Sequence, residues 1–117
     1  MTKPFRFGVN VWRATSRAEW VEKARRLEDL GYAVLSVPDH LADLFAPLPA
    51  LVSAAEATTR LRVGTYVLNN DLRHPVLVAR EAATVDLLTD DPDLPEGLRP
   101  FIDLIRRNVL DHELSVF

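Results

Sequence analysis

The sequence predicts an α/β protein built on a parallel sheet, and three observations carry that expectation. Apolar runs rich in β-branched residues (Phe5 to Val11, Ala33 to Val37, Arg62 to Leu68) alternate with helix-patterned segments. Each run is closed by turn-forming or polar residues. The joins between run and helix are short. The third run lacks clean polar alternation, as in a strand covered on both faces. Three consecutive βα units imply right-handed crossovers, and the usual completions are a doubly wound sheet or an eight-stranded barrel. Three strands alone cannot close a barrel.

The elements follow in order. Phe5 to Val11 is the first strand, and Asn10, Trp12 and Arg13 mark its end. Ser16-Arg-Ala-Glu19 is a capping box, in which the Ser hydroxyl accepts from the third N–H and Glu19 reaches back. The helix behind it is expected to bury Trp20, Ala24, Leu27 and Leu30. Gly31 ends it. The second strand, Ala33 to Val37, stops at Pro38. A turn-rich stretch with Pro47 and Pro49 leads to a second helix from Ala50 to about Thr58. Asn69 to His74 stops the third strand, because Asn and Asp bond their own backbone. Pro75 starts the third helix where a missing N–H costs nothing, and that helix runs to about Leu88.

Thr89 to Pro95 is a loop of acids and prolines. After it, Leu98, Phe101, Ile102, Ile105, Val109 and Leu110 have helical spacing, so a fourth amphipathic helix is expected there. Glu113 to Phe117 reads as a short strand or a docking tail. The organisation expected is therefore residues 1–89 as the βα region and 90–117 as linker and docking helix.

Composition narrows the function classes. With 117 residues there is room for one small domain. A net charge of −3, with basic residues scattered among acids, gives no footprint for nucleic acid. The absence of cysteine excludes disulfides, thiolate zinc sites and thiol nucleophiles, and fits a cytoplasmic setting. No apolar run approaches the ~20 residues of a membrane span. No glycine-rich phosphate loop or His-Glu-x-x-His pattern is present, and three dispersed histidines predict no metal site.

Loops at the carboxyl ends of parallel strands are where α/β proteins place their sites. Asp39 and His40 sit there after strand two, although Pro38-Asp39 also serves as a strand stop with His40 capping the turn. Asn10 and Trp12 leave strand one on the same face, two residues apart. Asn69 and Asn70 follow strand three and either bond a polar ligand edge or only make the turn. His74 is placed to cap the Pro75 helix.

FRFGVNVW, the helix ending EDLGY, the Val37-Pro38-Asp39-His40 motif and LRVGTYVLNNDLRHPVLVAREAATVDLL agree in order and spacing with one family. Over residues 5 to 89 the chain resembles the amino-terminal third of the bacterial luciferase-like monooxygenase superfamily, and most of all its deazaflavin (coenzyme F-420)-dependent oxidoreductases. The resemblance implies a TIM-type (β/α)8 barrel, of which the three βα units form a part. It implies an oxidoreductase that transfers hydride or activates oxygen, with coenzyme F-420 or FMN at the carboxyl face. It implies Asp39 and His40 as the catalytic candidates beside the reactive ring. Asn10, Thr65, Tyr66, Val67, Leu68, Asn69 and Asn70 are the implied cofactor-binding residues. Thr65 to Leu68 lie where the family carries a β-bulge, often with a non-proline cis peptide.

After Leu88 the sequence leaves the family's pattern, and the Gly-rich fourth strand is not recognisable. The expectation is thus a truncated or minimal member: an oxidoreductase, or alternatively a non-catalytic flavin-binding or structural piece of that fold. Unpaired strand edges and an apolar inner sheet face invite another chain. A homo-oligomer, with a dimer favoured, is therefore expected.

Overall fold

A computed structural model of the chain describes residues 3–89. The elements are β1 (Gly8–Asn10), α1 (Arg17–Asp29), β2 (Val34–Val37), α2 (Pro47–Glu56), β3 (Arg62–Thr65) and α3 (Pro75–Leu88). They fall into two compact units, residues 1–68 with the sheet, α1 and α2, and residues 69–117 with α3. The expected fourth helix and the carboxyl-terminal strand or tail lie outside the described residues. Among the described residues no helix is long and apolar enough to cross a membrane.

The three strands are parallel and adjacent in chain order. That order suits a barrel, and it also suits one half of a doubly wound sheet, so topology alone does not separate the two. The register aligns Gly8, Val34 and Arg62 in one row and Asn10, Ser36 and Gly64 in the next. Side chains alternate across a strand, so one residue set faces the helices and the other faces away. Leu35 and Val37 face the helices and are fully buried, with Val11, Leu61 and Val63 packed beside them. The opposite face carries Gly8, Asn10, Val34, Ser36, Arg62 and Gly64. The apolar inner face expected from sequence is therefore corrected: among these six only Val34 is a large apolar side chain.

The core joins Trp20 and Ala24 of α1 to Ala50, Leu51 and Ala54 of α2 and to the helix-side strand residues. Ala24 and Ala54, both fully buried, keep the helices free of bulk where they meet. Burying a side chain such as Leu35 contributes about 2 kcal/mol. The Trp20 indole N–H donates to the Ala50 carbonyl at 3.0 Å, so its one polar atom is satisfied. Its ring meets Phe45 edge-on, 5.2 Å between centroids.

Local chemistry sets the helix ends. Ser16 caps α1 by accepting from the Glu19 N–H at 3.1 Å. Glu19 reaches back one residue further than the expected box, accepting the Thr15 N–H at 2.7 Å and the Thr15 hydroxyl. Gly31, at φ +86°, ends the helix, with Gly31 N–H donating to the Glu28 carbonyl and Tyr32 N–H to the Leu27 carbonyl. This is the paired bonding of a Schellman motif. Leu30 is exposed rather than buried, because the helix has already ended beneath it.

Two boundaries differ from expectation. Helix α2 begins at Pro47, three residues before the expected Ala50, and its first turn holds both prolines. First-turn N–H groups have no partner inside the helix, so the prolines forfeit nothing there. The first strand begins at Gly8 rather than Phe5: among the described residues its pairing with the β2 segment runs out at the Ala33 N–H, which donates to the Phe7 carbonyl at 2.8 Å. Phe5 is consequently 91% exposed.

Candidate functional site: the carboxyl ends of the strands

Strands β2 and β3 end level, at Val37 and Thr65, and β1 ends one row earlier, at Asn10. The segments that leave them form one polar and aromatic edge within the first unit. Asn10 is exposed at the end of β1. Asp39, two residues beyond β2, is 5% exposed, whereas the adjacent His40 is open to solvent. Thr65 closes β3 opposite Val37, and the Tyr66 N–H carries the ladder one step further by donating to the Val37 carbonyl at 3.1 Å.

The Tyr66–Val67 peptide is cis, at the segment where the family resemblance implies such a bond. Beyond it the backbone leaves the sheet, so β3 is shorter than the expected strand to Leu68. Tyr66 and Val67 are 68% and 67% exposed, an unusual offering of apolar surface at a strand end. Leu68 is half-buried.

The loops carrying these residues are tied together. Phe45 N–H donates to the Trp12 carbonyl at 3.1 Å, joining the β2–α2 loop to the β1–α1 loop. Arg13 pairs with Asp43 across the same two loops, and the Lys23 ammonium donates to the Arg13 carbonyl at 3.1 Å. Exposed ion pairs of the Arg13–Asp43 kind contribute about 0–1 kcal/mol. The Phe45 link matters more, since its ring is anchored on buried Trp20. Phe45 was invisible as a positioning residue because its partner carbonyl lies 33 residues earlier.

Asn69 and Asn70 fall in the second unit. Asn69 makes an Asx turn, its Oδ1 accepting the Asp71 N–H at 3.0 Å and its carbonyl the Leu72 N–H at 3.3 Å. His74 caps α3, its Nδ1 accepting the Val76 N–H at 3.3 Å, as its place before Pro75 suggests. Among the described residues no group of three or more His, Asp or Glu is arranged to hold a metal. A cleft of about 360 Å³ lined by Trp20, Phe45, Pro49 and Ser53 belongs to the helix layer and not to the strand-end edge.

The sequence profile of the luciferase-like monooxygenase family matches residues 3–91. The chain is 35% identical over 86 residues to 4-hydroxyprotoasukamycin monooxygenase of Streptomyces nodosus subsp. asukaensis. That match covers 70% of this chain and 22% of the relative, so the chain spans about a fifth of the relative's length. Among solved structures, the coenzyme F-420-dependent tetrahydromethanopterin reductase of Methanopyrus kandleri superposes with a TM-score of 0.64 at 24% identity. The alignment covers 72% of this chain and 24% of that one. Monooxygenase RslO1 of Streptomyces bottropensis superposes with a TM-score of 0.61 at 20% identity, over 88% of this chain and 42% of that one. These likenesses decide between the two completions in favour of the barrel type, of which the described strands form an open part. The chain belongs to the luciferase-like monooxygenase family.

Proposed function

We propose that residues 3–89 supply part of a flavin- or deazaflavin-binding site in an oxidoreductase of this family, with coenzyme F-420 or FMN as the cofactor. The observation that carries the proposal is the exposed Tyr66–Val67 surface, set on the same sheet edge as Asn10 and the Asp39–His40 pair. A planar heterocycle needs an apolar surface for its face and a few polar groups for its rim. Tyr66 and Val67 meet the first need, and Asn10 and His40 the second. The bound cofactor supplies the hydride or oxygen chemistry. The chain's own part is to hold the ring, with Asp39 and His40 as the groups proposed beside the reacting atoms.

Purified protein titrated with coenzyme F-420 and with FMN, followed by cofactor fluorescence, tests this. Saturable binding that Tyr66→Ala and His40→Ala weaken supports it, and no binding of either cofactor defeats it. A second reading, binding without turnover, is favoured by the openness of the edge, since ligand sites usually enclose most of the ligand. Binding with no cofactor oxidation or reduction in the presence of candidate substrates would select it.

We also propose that the chain assembles as a homodimer. Exposed Phe5 and Phe7, ahead of β1, support this reading.

A further inference from the structure

The row Asn10–Ser36–Gly64 crosses all three strands on the sheet face opposite α1 and α2. One feature of it has no structural purpose within the first unit, and another is over-supplied with acceptors. Gly64 has no positive φ, and a Cβ placed on it meets no described atom within 4 Å. Neither backbone conformation nor packing therefore demands glycine there. The Ser36 hydroxyl lies 3.3 Å from the Val9 carbonyl and 3.3 Å from the Asn10 carboxamide oxygen, placed to donate to either.

One hydroxyl carries one proton and cannot donate fully to two acceptors. The oxygen and nitrogen of a carboxamide are nearly equal in size, so hydrogen-bond partners decide which way it turns. The network closes when Asn10 Nδ2–H donates to the Ser36 oxygen and the Ser36 hydroxyl donates to Val9. Both protons then have acceptors. In that arrangement, the reverse of the one in which Ser36 donates to Asn10 Oδ1, the Asn10 oxygen points away from Ser36 and is available as an acceptor at the end of β1.

Resting on the cofactor reading above, we propose that this row recognises the hydrogen-bonding rim of the planar ligand. Asn10 accepts from a ring amide or imide N–H of the ligand. Ser36 is the positioning residue that sets the direction of the Asn10 amide. Gly64 keeps the floor of the row clear so that the ligand edge can approach. The ligand class this selects is a heterocycle with an N–H on its rim, and a rim with acceptors alone would face the Asn10 oxygen unfavourably.

The test measures the affinities of FMN and coenzyme F-420 for wild type, Ser36→Ala, Ser36→Thr and Gly64→Ala, alongside the melting temperature and the Asn10 side-chain amide signals in ¹⁵N-labelled protein. Ser36→Ala is expected to weaken binding about fivefold, the scale of one hydrogen bond, and to shift the Asn10 amide signals without ligand. Ser36→Thr, which keeps the hydroxyl, restores both. Gly64→Ala weakens binding while leaving the melting temperature unchanged or raised. Wild-type affinity in both Gly64→Ala and Ser36→Ala overturns the row alone. Unmoved Asn10 signals in Ser36→Ala overturn the proposed orientation. Failure of the wild type to bind either cofactor defeats the cofactor reading, and the row with it.

Discussion

Glu28 Oε2 accepts the Leu61 N–H at 2.8 Å, and the same oxygen takes the Arg60 N–H at 2.8 Å and the Thr59 N–H at 2.9 Å. The Thr59 hydroxyl donates to Oε1 at 3.1 Å. One carboxylate in the last turn of α1 thus closes the loop that launches β3. Three successive N–H groups converging on one point make an anion-binding concavity, which explains an acid in this place.

Removing that acid leaves the three donors without their acceptor. Glu28→Ala is expected to cost about 2–3 kcal/mol in urea unfolding, and Glu28→Gln less, because an amide oxygen still accepts. The effect depends on pH. Burial pushes the Glu28 carboxyl upward, but bonds from Arg60, Leu61 and Thr59 outweigh it and hold the group below the ordinary 4.5. A depressed folded-state pKa gives stability that is complete above the unfolded value and lost as pH falls through the folded one. The gap between wild type and Glu28→Gln should hold constant near neutral pH and narrow below about pH 4.5. Glu19 titrates in the same direction: bonds from Lys23 and Thr15 bring it to about 2, so its contribution persists to more acid conditions.

Gly31 and Gly64 should respond oppositely to alanine. Gly31 sits at φ +86°, where a side chain is strained, so Gly31→Ala should destabilise by about 1–2 kcal/mol. Gly64→Ala meets open space and should leave the melting temperature unchanged or slightly raised. Thermal melts of the two variants side by side check the contrast.

The two tryptophans report on different surroundings. Trp20 is 2% exposed and Trp12 59% exposed. Trp12→Phe should leave a blue-shifted emission from Trp20 alone, with little loss of stability. Trp20→Phe should cost about 2–3 kcal/mol, since it removes buried ring volume and leaves the Ala50 carbonyl without its donor. Fluorescence and urea melts of the two variants separate these effects.

Assembly is read directly from mass. A homodimer predicts a light-scattering mass near twice the 13.2 kDa of one chain. Replacing Phe5 and Phe7 by Ser should bring the mass down to one chain. A wild-type mass of 13.2 kDa at high concentration removes the proposal.

What the sequence revealed and what it concealed follow from the range of each interaction. Ser16, Glu19, Gly31 and His74 act within a few residues of themselves, so their roles were legible. Pro47 misled, because proline reads as a break although the first turn of a helix accepts it. Phe5 and Phe7 looked like strand, yet strand formation needs a partner, and the pairing with the β2 segment fades to a single bond, from the Ala33 N–H to the Phe7 carbonyl. Leu30 had helical spacing but fell just past the helix end. The Tyr66–Val67 segment was legible only through resemblance to a family. The Asn10–Ser36–Gly64 row and the Glu28 clamp depend on register between residues 26 to 33 positions apart, which local pattern does not encode.

The most direct measurement is the melting temperature of the purified chain during titration with coenzyme F-420 and, separately, with FMN. A ligand that binds only the folded protein raises its stability as ln(1 + [L]/Kd). The cofactor reading predicts a saturable rise with at least one of the two, reduced in Asp39→Asn and His40→Ala. A melting temperature unmoved by either cofactor, at concentrations that saturate related enzymes, would contradict it.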